Sequence, residues 1–229
     1  MTRITTLAAV LAATVAPLAA ADAIYTHGTE TGFRYNPNSG GSTSLQAYTN
    51  TYWNTSATGL QIDSLTFGIR RLASAPDVTL HFYVAQMSGT GDFDSSTIVD
   101  LGTVDLLANG ASSVTQLVTI NPGITMALND LAAGGSAGYA GLWFGLRFEG
   151  VNATNNSNGW RITNAPALGF TDDVFAAWDP STASLNYYNF AAAPPAYFYL
   201  DVNGSFVPAP GAFALLGAAG LVGGRRRRA

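Results

Sequence analysis

The chain has 229 residues, 48% hydrophobic and only 10% charged, the opposite of the balance that keeps a chain disordered. It has no Cys, which excludes a disulfide framework and any thiolate metal site. All ten basic residues are Arg, and five lie at the ends (Arg3, Arg225 to Arg228), so the middle sets five Arg against 13 or 14 acids. A net charge near -8 or -9 excludes nucleic-acid binding through a basic patch.

The N-terminus reads as a secretory leader. Arg3 precedes an apolar run of 15 residues, Ile4 to Leu18, which ends in the small residues Ala19-Ala20-Ala21-Asp22-Ala23. That run is short of the ~20 residues needed for a permanent span. Cleavage is expected after Ala23, with Ala21 the alternative, giving a leader over 1–23.

Residues 24–206 then form one domain of roughly 180 residues, enough to bury about 70% of the unfolded surface. Its signal is alternation with period two. Leu65, Phe67 and Ile69 alternate with Thr66, Gly68 and Arg70. Val78, Leu80, Phe82 and Val84 alternate with Thr79, His81, Tyr83 and Ala85. Further on, Leu142, Phe144, Leu146 and Phe148 alternate with Trp143, Gly145 and Arg147, and Phe198, Leu200 and Val202 with Tyr197, Tyr199 and Asp201. Each pattern predicts a half-buried strand. Turn chemistry separates the runs at Asn36 to Gly41, Ser88 to Gly91, Ala108 to Gly110, Asn121 to Gly123, Asn155 to Gly159 and Asp179-Pro180. The best helical stretch, Ala127 to Ala133, lasts under two turns. The fold class is therefore all-β, an antiparallel β-sandwich of jelly-roll kind.

Chemistry-bearing residues are sparse. His27 falls in a lead-in segment expected to be flexible, and His81 on the wetter face of its strand. No His-x-His, His-Glu-x-x-His or Gly-x-Ser-x-Gly spacing occurs, and Glu30 and Glu149 are the only Glu residues. Asp92 and Asp94 alternate in a loop, as a Ca²⁺ site would require, but the Gly and Glu of an EF-hand are missing; Asx-turns are the simpler account. No cofactor is expected. Tyr83, Trp143, Tyr197 and Tyr199 all lie opposite the aliphatic face of their strands. A row of such rings would grip sugar rings; packing under loops or a neighbouring sheet is the plainer alternative.

The C-terminal segment, 207–229, has three parts. Pro208-Ala209-Pro210-Gly211 ends the domain, an apolar stretch predicted to be a short helix follows, and Arg225, Arg226, Arg227 and Arg228 close it. Val207 to Gly224 is an uncharged run of 18 residues, and Arg after such a run stays on the cytoplasmic side. This tail resembles the PEP-CTERM sorting signal of Gram-negative bacteria: a Pro-x-Pro motif, an apolar helix and an Arg-rich terminus. Ala209 stands where that family typically has Glu. The resemblance covers 23 of the 229 residues. It implies a membrane-anchored precursor, processing by an exosortase-type enzyme and delivery to the cell surface or outside. The expectation is an exported surface or matrix protein without enzymatic activity. A carbohydrate-binding module for extracellular polysaccharide is the alternative, and a secreted hydrolase the third reading.

Overall fold

The computed structural model describes residues 22–36, 44–131, 138–150, 157–190, 195 and 197–209. Fourteen strands account for the regular structure there: β1 (Asp22–Tyr25), β2 (Glu30–Tyr35), β3 (Gln46–Asn54), β4 (Gly59–Arg71), β5 (Val78–Gln86), β6 (Val99–Leu106), β7 (Val114–Ile120), β8 (Ile124–Ala127), β9 (Tyr139–Glu149), β10 (Asn158–Thr163), β11 (Phe175–Asp179), β12 (Ser184–Tyr188), β13 (Tyr197–Phe198) and β14 (Leu200–Val207). A single 3-10 turn, Ser95–Thr97, lies between β5 and β6 among the described residues. The chain is all-β, and its two antiparallel sheets form a sandwich.

One sheet has eight strands. Its path runs β1-β14-β4-β10-β13, with β7 and β8 paired to β4 and β2 paired to β10. The other has six, in the order β12-β11-β3-β9-β5-β6. The alternation read from the sequence sets their facing sides. Leu80, Phe82 and Val84 of β5 and Leu142, Phe144, Leu146 and Phe148 of β9 meet Leu65, Phe67 and Ile69 of β4 in one buried cluster. The rings of Phe67 and Phe82 lie 4.8 Å apart, and Phe67 lies 5.5 Å from Trp160 on β10. Each such side chain contributes about 1.5–3 kcal/mol on full burial.

The six-stranded sheet differs from a simple sandwich layer because its outer face is covered too. Tyr48, Tyr52, Tyr83, Ala85, Met87, Phe93, Trp143 and Ala176 form a second buried cluster there. The cover comes from the chain after β5, where Met87 and Phe93 form a β-bridge and the ring of Phe93 lies 4.4 Å from Tyr48. Gly145 makes this possible. It sits opposite Tyr48 on β3 and Tyr83 on β5, and a Cβ there would run into the Tyr48 ring.

Several sequence expectations need correction. Asn158 and Gly159, read as turn, open β10, a strand buried on both faces. The last strand is interrupted: β13 ends at Phe198, and Tyr199 separates it from β14. Ala127, read as the start of a helical stretch, ends β8 instead. His27 is tied down rather than flexible. Its backbone N–H and ring Nδ1 both reach Asp201 Oδ1, at 3.0 and 2.7 Å, and its ring stacks 3.5 Å from Tyr199. The leader over 1–23 lies outside the described residues except for Asp22 and Ala23, and the apolar helix predicted after Val207 lies outside them as well.

Candidate functional site

The four aromatic residues singled out from the sequence are not brought together. Tyr83 and Trp143 belong to the outer face of the six-stranded sheet, whereas Tyr197 and Tyr199 border the eight-stranded one. Tyr83, Trp143 and Tyr199 are buried, and Tyr197 is half-buried. Tyr199 lies over Gly68, where a Cβ would meet its ring, and beneath His27. A solvent-facing row of these rings does not exist. They face away from the main core, as read, but other parts of the chain cover them.

Trp143 is the member that reaches a cavity. A hollow of about 270 Å³ opens above it, lined also by Asn50, Tyr52, Thr90, Gly91, Asp92, Asp172, Val174 and Tyr187. Four parts of the chain build it. β3 contributes Asn50 and Tyr52, two residues apart and therefore on one face. Next to them, β9 contributes Trp143, directly opposite Asn50. The loop after β5 contributes Thr90 to Asp92, and the chain around β11 and β12 contributes Asp172, Val174 and Tyr187.

Hydrogen bonds hold these parts in place. Asn50 is only 1% exposed, and its Oδ1 accepts from the Thr171 hydroxyl at 2.5 Å and the Asp172 N–H at 3.0 Å. Its Nδ2 donates to the Tyr52 hydroxyl at 3.4 Å. Burial first, then the neighbouring Asp172 charge, raises the Tyr52 phenol well above its ordinary range. Asp92 Oδ2 accepts from the Thr90 hydroxyl at 2.6 Å. Tyr187, 43% exposed, accepts the Phe93 N–H on its hydroxyl at 2.9 Å. The Trp143 indole N–H, by contrast, is buried and has no partner among the described residues.

The loop aspartates serve turns. Asp94 caps the 3-10 turn through Ser96 N–H at 3.0 Å and the Ser96 hydroxyl at 2.6 Å, while Asp92 faces the cavity. Among the described residues no group of three or more His, Asp or Glu side chains converges as a metal site. His81 joins an ion cluster near the far end of the sheet: its Nε2 lies 2.5 Å from Glu149 Oε2 and 2.9 Å from an Arg147 nitrogen.

Two other hollows are present. One of about 450 Å³, lined mainly by apolar groups including Trp53, Phe170 and Phe206, lies beside β1. Another of about 810 Å³ is lined by Asn54, Thr55, Ser56, Asp130, Leu131 and Gly138. Of the residues read as a sorting motif, Pro208 and Ala209 follow β14 directly, and Pro210, Gly211 and Arg225 to Arg228 lie outside the described residues. No helix among the described residues is long and apolar enough to cross a membrane.

Sequence reasoning missed Asn50, Tyr52 and Tyr187. A signal was available for the first two: Tyr48, Asn50 and Tyr52 recur at period two. They escaped notice because the facing positions Thr49 and Thr51 are not aliphatic, so no hydrophobic alternation marks the strand. No family model and no curated protein matches the chain.

Proposed function

We propose that this chain is an exported surface or extracellular-matrix protein without enzymatic activity, sorted by its PEP-CTERM-like tail. The observation that carries this reading is the three-part terminus, Pro208-Ala209-Pro210, apolar run and Arg225 to Arg228, placed directly after the last strand. That strand, β14, pairs with both β1 and β4 and ends at Val207. In this reading the apolar run forms a short helix that holds the precursor in the membrane until an exosortase-type enzyme acts. The displayed part is a jelly-roll-like sandwich. Leader removal after Ala21 would keep Asp22 and Ala23, which pair with Gly204 and Asn203 of β14, whereas removal after Ala23 would lose them. Intact-mass measurement of material recovered outside the cell tests the proposal. The expected species starts at Asp22 and lacks the Arg cluster; a species retaining Met1 to Ala21 overturns it.

A second reading has an observation of its own. The polar, aromatic-edged cavity above Trp143 favours a carbohydrate-binding role for the displayed domain. A hydrolase would use two such acids with one of them donating a proton. Here the Asp92 carboxylate already accepts from the Thr90 hydroxyl, and Asp172 lines the same cavity as the Tyr52 hydroxyl. That arrangement suits holding hydroxyl groups.

A further inference from the structure

We infer that the cavity formed by Asn50, Tyr52, Asp92, Trp143, Asp172 and Tyr187 binds a single neutral sugar ring, the end or a branch unit of a polysaccharide; the inference rests on the carbohydrate-binding reading above. Size comes first. At about 270 Å³ the hollow falls just under the ~300–1,000 Å³ of drug-sized pockets, which suits one ring and excludes a bound chain.

Charge narrows the ligand. Asp92 and Asp172 both line the cavity, and among the described residues no Arg or His does. Uronate, sulfated or phosphorylated sugars would bring a further negative charge against two carboxylates. Neutral sugars instead present hydroxyl groups that donate to those oxygens, the stronger kind of hydrogen bond because the acceptor is ionised.

An organic cation is the other ligand that two carboxylates and aromatic rings would attract. The remaining lining groups argue against it. The Tyr187 hydroxyl accepts the Phe93 N–H and keeps its own proton to donate, and the Asn50 amide has a second N–H beyond the one given to Tyr52. A cation offers such groups no acceptor, whereas each sugar hydroxyl oxygen offers one while donating its own proton.

The half-exposed ring of Tyr187 forms one wall, an apolar body against which the C–H face of a sugar can lie. The walls are also held before any ligand arrives. Tyr187 is fixed by Phe93 N–H, Asp92 by Thr90, and Asp172 by its own backbone N–H on Asn50. Little ordering cost remains to weaken binding.

The test uses the full chain against a panel of neutral methyl hexosides, the corresponding uronate, a quaternary amine and Ca²⁺, followed by calorimetry and ligand-observed NMR, alongside a polysaccharide array. The expected result is binding of at least one neutral hexoside, at least tenfold weaker binding of the uronate, and a tenfold or greater loss in Asp172→Asn and Tyr187→Ala. His81→Gln, which lies outside the cavity, should bind as wild type. Melting curves establish that each variant is folded; if Tyr187→Ala is not, Asp172→Asn alone carries the test. Sugar binding that survives in every folded one of these two variants places the site elsewhere and overturns the inference, while the binding-module reading stands. Preference for the uronate, the amine or Ca²⁺ also overturns it. Absence of binding to every saccharide and polysaccharide by folded wild type removes the reading itself. Release of reducing sugar would identify a hydrolase and overturn both.

Discussion

The backbone N–H of Phe93 donates to the hydroxyl of Tyr187 at 2.9 Å, joining the loop after β5 to β12, an edge strand 94 residues further along the chain. This bond closes one side of the cavity and holds Phe93 over Tyr48 and edge-on to Trp143, 6.0 Å away. The outer face of the six-stranded sheet is therefore a second core, and its stability should respond as a core does.

Phe144 and Trp143 are neighbours in β9 on opposite faces, and both are buried, at 0% and 2% exposure. Trp143→Ser should cost about 3–5 kcal/mol, in the range of large aromatic truncations. Phe144→Asp, which buries an unpaired charge, should cost more than ~4 kcal/mol. Chemical denaturation would show two severe losses. A Trp143→Ser variant within ~1 kcal/mol of wild type would mean that this ring is solvent-facing after all.

Gly145→Ala tests the second core from beneath. The added Cβ would meet the Tyr48 ring, which the neighbouring Phe93 and Tyr83 leave little room to move. Overpacking of this kind costs about 1–3 kcal/mol. Gly89→Ala, in open space, should change the melting temperature far less.

High pH should destabilise the folded chain. Burial pushes the Tyr35 phenol up to about 12, and Tyr25, Tyr48 and Tyr52 are raised for the same first cause. These groups stay protonated in the folded chain when the unfolded chain has already lost their protons above about pH 10. The unfolded state then binds fewer protons, so stability is fully present below about pH 10 and falls as pH rises through 12 and beyond. Phenolate absorbance should rise together with loss of the near-ultraviolet dichroism. Full ionisation with the fold retained near pH 10 would show that the rings are accessible.

Replacing Arg225 to Arg228 with Ser removes the positive charge expected to stop the tail on the cytoplasmic side. The precursor should leave the membrane fraction before processing. An unchanged membrane-bound precursor in cell fractionation would separate the Arg cluster from retention.

Much of the sandwich was legible in the chain because sheet burial writes itself as period two. Leu142 to Phe148 and Val78 to Val84 each place aliphatic and aromatic residues on one face, and those faces meet between the sheets. What alternation could not show was the fate of the other face. Trp143 and Tyr83 sit in sequence where solvent-facing residues would sit, and the strand pattern is the same whether water or another segment covers them. That was settled by the loop after β5 folding back, with Phe93 above Tyr48 and its N–H on Tyr187. The cavity has the same origin. Asn50, Asp92, Asp172 and Tyr187 are far apart in the chain, and only strand order brings β3, β9, β11 and β12 side by side. Local patterning determined which residues leave water, because that depends on near neighbours; pairing across the sheets decided which polar groups converge, because that depends on contacts no local pattern encodes.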